Sequence, residues 1–178
     1  VKKYFVCAQG CNMGTYVHEI AHNFGLPDLY DYDDSSAGIG SWGVMGAGGY
    51  LTKDGTPNPS HFSAWSKQEL GLLQPTVIDI SSSQSYTLDS SSVSPDVLKV
   101  QISSSEYYLI EYRSATSNYY DAAIEASGVL IWHIDEEICE DDWRVNDDEY
   151  HPCVRLIQAD GDGDLENNRG SDAGDVWQ

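Results

Sequence analysis

Residues 18–28 read His-Glu-Ile-Ala-His-Asn-Phe-Gly-Leu-Pro-Asp, and this string leaves the chain little freedom of fold. Two histidines four apart, His18 and His22, lie on one face of a helix, one turn above each other. Their imidazole nitrogens can there converge on one ion about 2.0 to 2.1 Å away, the reach of a zinc–nitrogen bond. Glu19, beside His18, would then stand next to the ion rather than on it, where a general base for an activated water belongs. Gly25 can take the left-handed conformation that closes a helix, and Pro27 prevents its resumption. Catalytic zinc usually has three protein ligands and leaves a fourth position to water. Asp28, six residues past His22 and beyond a sharp turn, is close enough to swing back as the third. An HExxH alone recurs by chance, whereas HExxHxxGxxD fixes five positions and a turn.

Around this string the chain changes character at about residue 74. Before it, residues 12–24 read as a helix capped by Asn12 or Thr15, residues 30–50 as a long Asp-, Ser- and Gly-rich loop, and residues 60–70 as a second helix starting at Ser60 and stopping at Gly71. Residues 1–5 form a short β-leaning run. After it, the segments 76–80, 86–88, 97–102, 107–112, 128–134 and 154–157 alternate apolar and polar residues and are rich in β-branched and aromatic types, so they read as strands. The serine-rich stretches 81–85 and 90–94 are short enough for hairpin loops. The expected fold is α+β, a helical, loop-rich part over 1–73 followed by an antiparallel, β-rich part of the same unit over 74–178.

Composition excludes several classes of function. The formal charge of −20 repels a polyphosphate backbone, so nucleic acid is not an expected partner. Between Asp135 and Asp175 fifteen acidic residues face three arginines, which places −12 of that charge in one stretch. No apolar run approaches the ~20 residues that span a bilayer. The four cysteines allow three pairings; the local one, Cys7 with Cys11 and Cys139 with Cys153, is expected, and it implies oxidising, extracellular surroundings.

The chain resembles the immune inhibitor A family of secreted microbial zinc metallopeptidases, within the metzincin clan. Residues 18–31, HEIAHNFGLPDLYD, are similar to the family's active-site signature, and residues 41–46, SWGVMG, to its Met-turn; blocks at 64–71, 107–113, 128–136, 154–161 and 170–175 are also similar. The resemblance implies that His18, His22 and Asp28 hold zinc, that Glu19 is base and proton shuttle, and that Met45 packs beneath the metal without binding it. It implies a metzincin-like active-site helix and Met-turn, with most of the N-terminal sheet subdomain lacking. The expected activity is hydrolysis of extracellular protein or peptide substrates by a secreted, monomeric endopeptidase with no membrane span. The competing reading is a catalytically degenerate metal-binding module whose β-rich part binds protein or glycan; the retained Glu19 speaks against it.

Weaker candidates remain. Asp160, Asp162 and Asp164 resemble the start of an EF-hand loop, but Leu165 stands at position six and Ser171 at position twelve. These three, and Asp31, Asp33 and Asp34, are kept as candidate calcium ligands. His133 and Asp135 share a strand face and are expected to hydrogen-bond. His61 and His151 receive no role.

Overall fold

The computed structural model describes residues 4–116, 120–140 and 143–178. Helix α1 spans Met13–Asn23, where the Asn12 side chain accepts a hydrogen bond from the Thr15 amide and so caps the start. Gly25, at φ 104°, ends it: its amide reaches the His22 carbonyl, and that of Leu26 reaches Ala21. The long loop then coils through two 3-10 turns, Gly40–Trp42 and Ala47–Tyr50. A small hairpin of β1 (Thr52–Lys53) and β2 (Thr56–Pro57) turns on Asp54 and Gly55, both at positive φ.

Helix α2 covers only Ala64–Glu69, capped by Ser63 instead of Ser60. Residues 60 and 61 are drawn out of a helix by longer-range bonds, from the Ser60 amide to Gly48 and from the His61 amide to Asp121. The remaining strands, β3 (Thr76–Val77), β4 (Leu98–Gln101), β5 (Glu106–Arg113), β6 (Gly128–Asp135) and β7 (Val154–Leu156), form one sheet in chain order. A one-turn helix, α3 (Glu136–Cys139), follows β6. Both expected disulfides are formed, Cys7–Cys11 and Cys139–Cys153.

The fold is α+β, with one correction: the sheet is mixed, because β3 pairs β4 in parallel while the other pairs are antiparallel. The chain between β3 and β4 makes a long excursion, which a parallel pair requires and a hairpin does not. Residues 86–88 lie in that excursion and are not a strand. Tyr86 is exposed there and finds its partner in Gln84, so alternation without a face to bury carried no information. The two serine-rich stretches belong to this excursion and are not hairpin loops. The β-leaning run at 1–5 lies partly outside the described residues; Tyr4 and Phe5 are in no strand.

One apolar core runs through both parts of the chain. It joins Ala21, Leu29, Trp42 and Met45 to Leu109, Leu130, Trp132, Ile134 and Leu156. Strand β5 alternates between buried and half-buried positions throughout and β6 does so up to Ile134, and α2 packs on both. The loop after α1 is thereby clamped between the helix and the sheet.

Candidate metal centre

On α1, Nδ1 of His18 lies 2.9 Å from the Val44 carbonyl and Nδ1 of His22 lies 2.7 Å from the Leu26 carbonyl. A carbonyl oxygen only accepts, so each Nδ1 carries the hydrogen and each Nε2 turns its lone pair the other way. The two Nε2 atoms are 3.1 Å apart. Gly25 reverses the chain, and the Leu29 amide binds the Met45 carbonyl at 2.9 Å, which anchors the returning segment. Asp28 is thereby delivered with Oδ1 2.8 Å from His18 Nε2 and 3.3 Å from His22 Nε2. This oxygen is buried and takes no well-directed hydrogen bond.

Three electron-rich atoms so close repel one another unless positive charge lies between them. A proton on one imidazole meets the need in part, and hydrogen bonding to Asp28 does raise the His22 pKa. Burial pushes the Asp28 carboxyl up, but its partners His18, His22 and Tyr32 outweigh burial and hold it well below the usual range, as a carboxylate. A metal ion satisfies all three atoms at once. Tetrahedral bonds of 2.0 to 2.1 Å put ligand atoms about 3.3 Å apart, close to the separations found. The donor set, two imidazoles with fixed tautomers and an ionised carboxylate, suits zinc. Among the described residues this is the one group of His, Cys, Asp and Glu gathered tightly enough to hold a metal.

A cavity of about 550 Å³ opens beside this group, and His18, Glu19, Tyr30, Val44 and Tyr50 line it. The Tyr30 ring stacks over His18, with centroids 6.2 Å apart. Met45 is buried at 1% exposure in a turn closed by the Gly46 amide on the Gly43 carbonyl. Its own carbonyl and that of Val44 hold Leu29 and His18, so the turn fixes both sides of the centre.

The six aspartates considered for calcium are not gathered. Asp31 accepts from the amides of Asp33 and Ser36 and from the Ser35 hydroxyl, Asp33 accepts from the Ser35 amide, and Asp34 is exposed. Asp160 accepts from the Asp162 amide, and Asp164 pairs with Arg169. These bonds shape loops. His133 and Asp135 are not partners either: His133 meets Glu106 on the neighbouring strand, and Asp135 meets His151.

Two features escaped sequence reasoning. The Tyr32 hydroxyl donates to Oδ2 of Asp28. A fully buried ionic network joins Lys67, Glu111, Arg113 and Asp121 beneath the loop. The only signal for the latter was charge at two inward positions of β5, where alternation alone predicts apolar side chains.

Among the described residues no helix is long and apolar enough to cross a membrane. Residues 1–72 match the family described as immune inhibitor A peptidase M6, catalytic domain. The chain is similar to the pre-pro-metalloprotease PrtV of two strains of Vibrio cholerae serotype O1, 39% identical over 59 residues in each case. That stretch is 32% of this chain and 6% of those relatives, so the chain spans a small part of their length. No solved structure matches it. The match begins ahead of α1 and runs past α2, so His18, His22 and Asp28 all lie within the residues that resemble the immune inhibitor A peptidase catalytic domain.

Proposed function

We propose that this chain carries the catalytic centre of a secreted, zinc-dependent endopeptidase acting on extracellular proteins or peptides, with His18, His22 and Asp28 as the metal ligands. The observation that carries the reading is the convergence of three lone-pair atoms within 3.3 Å of one another beside a cavity that His18 and Glu19 line. Zinc held there would polarise a peptide carbonyl and lower the pKa of water. Glu19 accepts the proton of the attacking water and delivers it to the leaving amine. Val44 and Leu26 keep both imidazoles in the ligating tautomer, and Met45 is packing beneath the centre. Residues 1–73 supply the site and residues 74–178 the sheet that backs it. Two disulfides support an extracellular setting, and the protein is taken to act as a monomer.

The test compares the purified chain with Glu19→Gln for metal content and for hydrolysis of a broad protein substrate, with a zinc chelator as control. One zinc per chain in both proteins, and a rate lower by about 10²- to 10⁴-fold in the variant, is the expected result. Absence of bound zinc, or equal activity in the two proteins, overturns the reading.

A further inference from the structure

The cavity beside the centre continues away from Glu19 to Ser41, Glu125 and Ser171. Its lining contains four carboxylates, those of Glu19, Asp31, Asp34 and Glu125, and no lysine or arginine. Asp31 is consumed by the Asp33, Ser35 and Ser36 donors, and Glu19 is needed as base. Glu125 is different. Its Oε1 accepts a 2.7 Å hydrogen bond from the hydroxyl of Ser41, which is 8% exposed, and its other oxygen has no partner among the described residues.

The Glu125 carboxylate is also held from below. Its loop starts at Asp121, which is buried, pairs with Arg113 and accepts from the His61 amide at 2.7 Å. Ile124, at 5% exposure, plugs into the core and donates its amide to the Asp121 carbonyl. Ser41 is fixed in turn by the bond from its amide to the Ser171 hydroxyl at 2.9 Å. A carboxylate so positioned, in a cleft whose formal charges are all of one sign, focuses a negative potential on whatever side chain enters.

The geometry points to Glu125 as the residue that selects substrate, by pairing with a lysine or arginine side chain lodged in this cavity while the neighbouring peptide bond lies at the metal centre. This assignment rests on the peptidase reading for its meaning. Arginine offers paired, positively charged N–H donors to a carboxylate, whereas citrulline, its near-isosteric urea, keeps N–H donors but carries no charge. The expected class is therefore peptides with a basic residue beside the scissile bond.

The test uses peptide hydroxamates, which chelate zinc, made in pairs that differ only by arginine or citrulline at each of three successive positions. They are titrated against the zinc-loaded chain, Glu125→Gln and Ser41→Ala. Arginine should bind about five- to tenfold more tightly than citrulline at one position in the unaltered chain. That preference should fall below about twofold in Glu125→Gln and to an intermediate value in Ser41→Ala. Glu125 is exposed, so its replacement leaves the fold intact. Equal binding in the unaltered chain, or a preference that survives Glu125→Gln, overturns the assignment. Hydrolysis of a protein substrate is measured alongside. Preference without hydrolysis supports the pocket and sinks the peptidase reading; hydrolysis without preference does the reverse; binding of neither hydroxamate overturns both.

Discussion

The Tyr32 hydroxyl donates to Oδ2 of Asp28, which leaves Oδ1 turned toward the two imidazoles. Tyr32 is itself braced: its ring meets Trp143 edge-on at 4.6 Å, and its amide donates to Asp147 at 3.0 Å. Partners that orient metal ligands typically contribute 10- to 100-fold in affinity, or about 1.4 to 2.7 kcal/mol. Tyr32→Phe keeps the ring and removes only the donor. Zinc affinity, measured by competition with a chromophoric chelator, should fall by that factor while the far-ultraviolet dichroism stays the same. Unchanged affinity would mean that packing alone orients Asp28.

Gly14 explains how α1 comes so near the Met45 turn. A Cβ at this position would lie 2.0 Å from the Gly49 carbonyl oxygen, so helix and loop touch backbone to backbone. Glycine inside a helix ordinarily costs about 1 kcal/mol relative to alanine. Here that gain is reversed, because a methyl group would push the loop carrying Val44 away from His18. Gly14→Ala should lower the thermal midpoint and weaken zinc binding together. A more stable variant with unaltered affinity would show that the loop relaxes freely.

Legibility in the sequence followed the range of the interactions. Helix α1 was readable because its signals, Asn12 and Gly25, lie within the helix's own ends. The grouping of His18, His22 and Asp28 was readable for the same reason, since eleven residues contain it. Strands β5 and β6 were betrayed by alternation, whereas residues 86–88 alternate equally well and pair with nothing. The carbonyls that set the tautomers were not legible: Val44 stands 26 residues from His18, and nothing in its identity announces a backbone contact. Asp121 and Glu125 act from more than 90 residues beyond the helix. The calcium expectation failed to gain support because aspartates at i and i+2 serve equally well as turn-forming acceptors, and that is how Asp31, Asp33 and Asp160 are used.

Buried charge supplies a third prediction. Glu111 accepts from Lys67 at 2.7 Å, from Trp132 and from Ser91, and it also meets Arg113. Burial pushes its carboxyl up, but Lys67 and Arg113 pull it down to about 2. Lys67 is shifted down as well, by burial and by Arg113, so much of the attraction is offset by desolvation. Breaking such a pair costs more than its presence contributes. Lys67→Met should therefore destabilise the chain by about 3 to 5 kcal/mol in urea unfolding. A loss below about 1 kcal/mol would show that Arg113 alone compensates Glu111.

The same network makes stability depend on pH through His61, whose ring faces Lys67, Arg113, Asp121 and Glu111. Burial first, then the two cations, lower its pKa from the ordinary 6.5 to about 4. The unfolded chain takes up this proton as pH falls through 6.5, while the native chain resists until about 4. Between those values the unfolded state binds more protons, so stability falls as pH falls, with a limiting slope of about 1.4 kcal/mol per pH unit. Glu111 takes over below, between its ordinary 4.5 and about 2, again with stability lost on acidification. His61→Phe retains a ring against Tyr120, which His61 meets edge-on at 5.5 Å. Urea midpoints of the two proteins should diverge between pH 6.5 and 4, the variant losing less, and run parallel below. Parallel curves throughout would mean that His61 takes up its proton in the native chain without penalty.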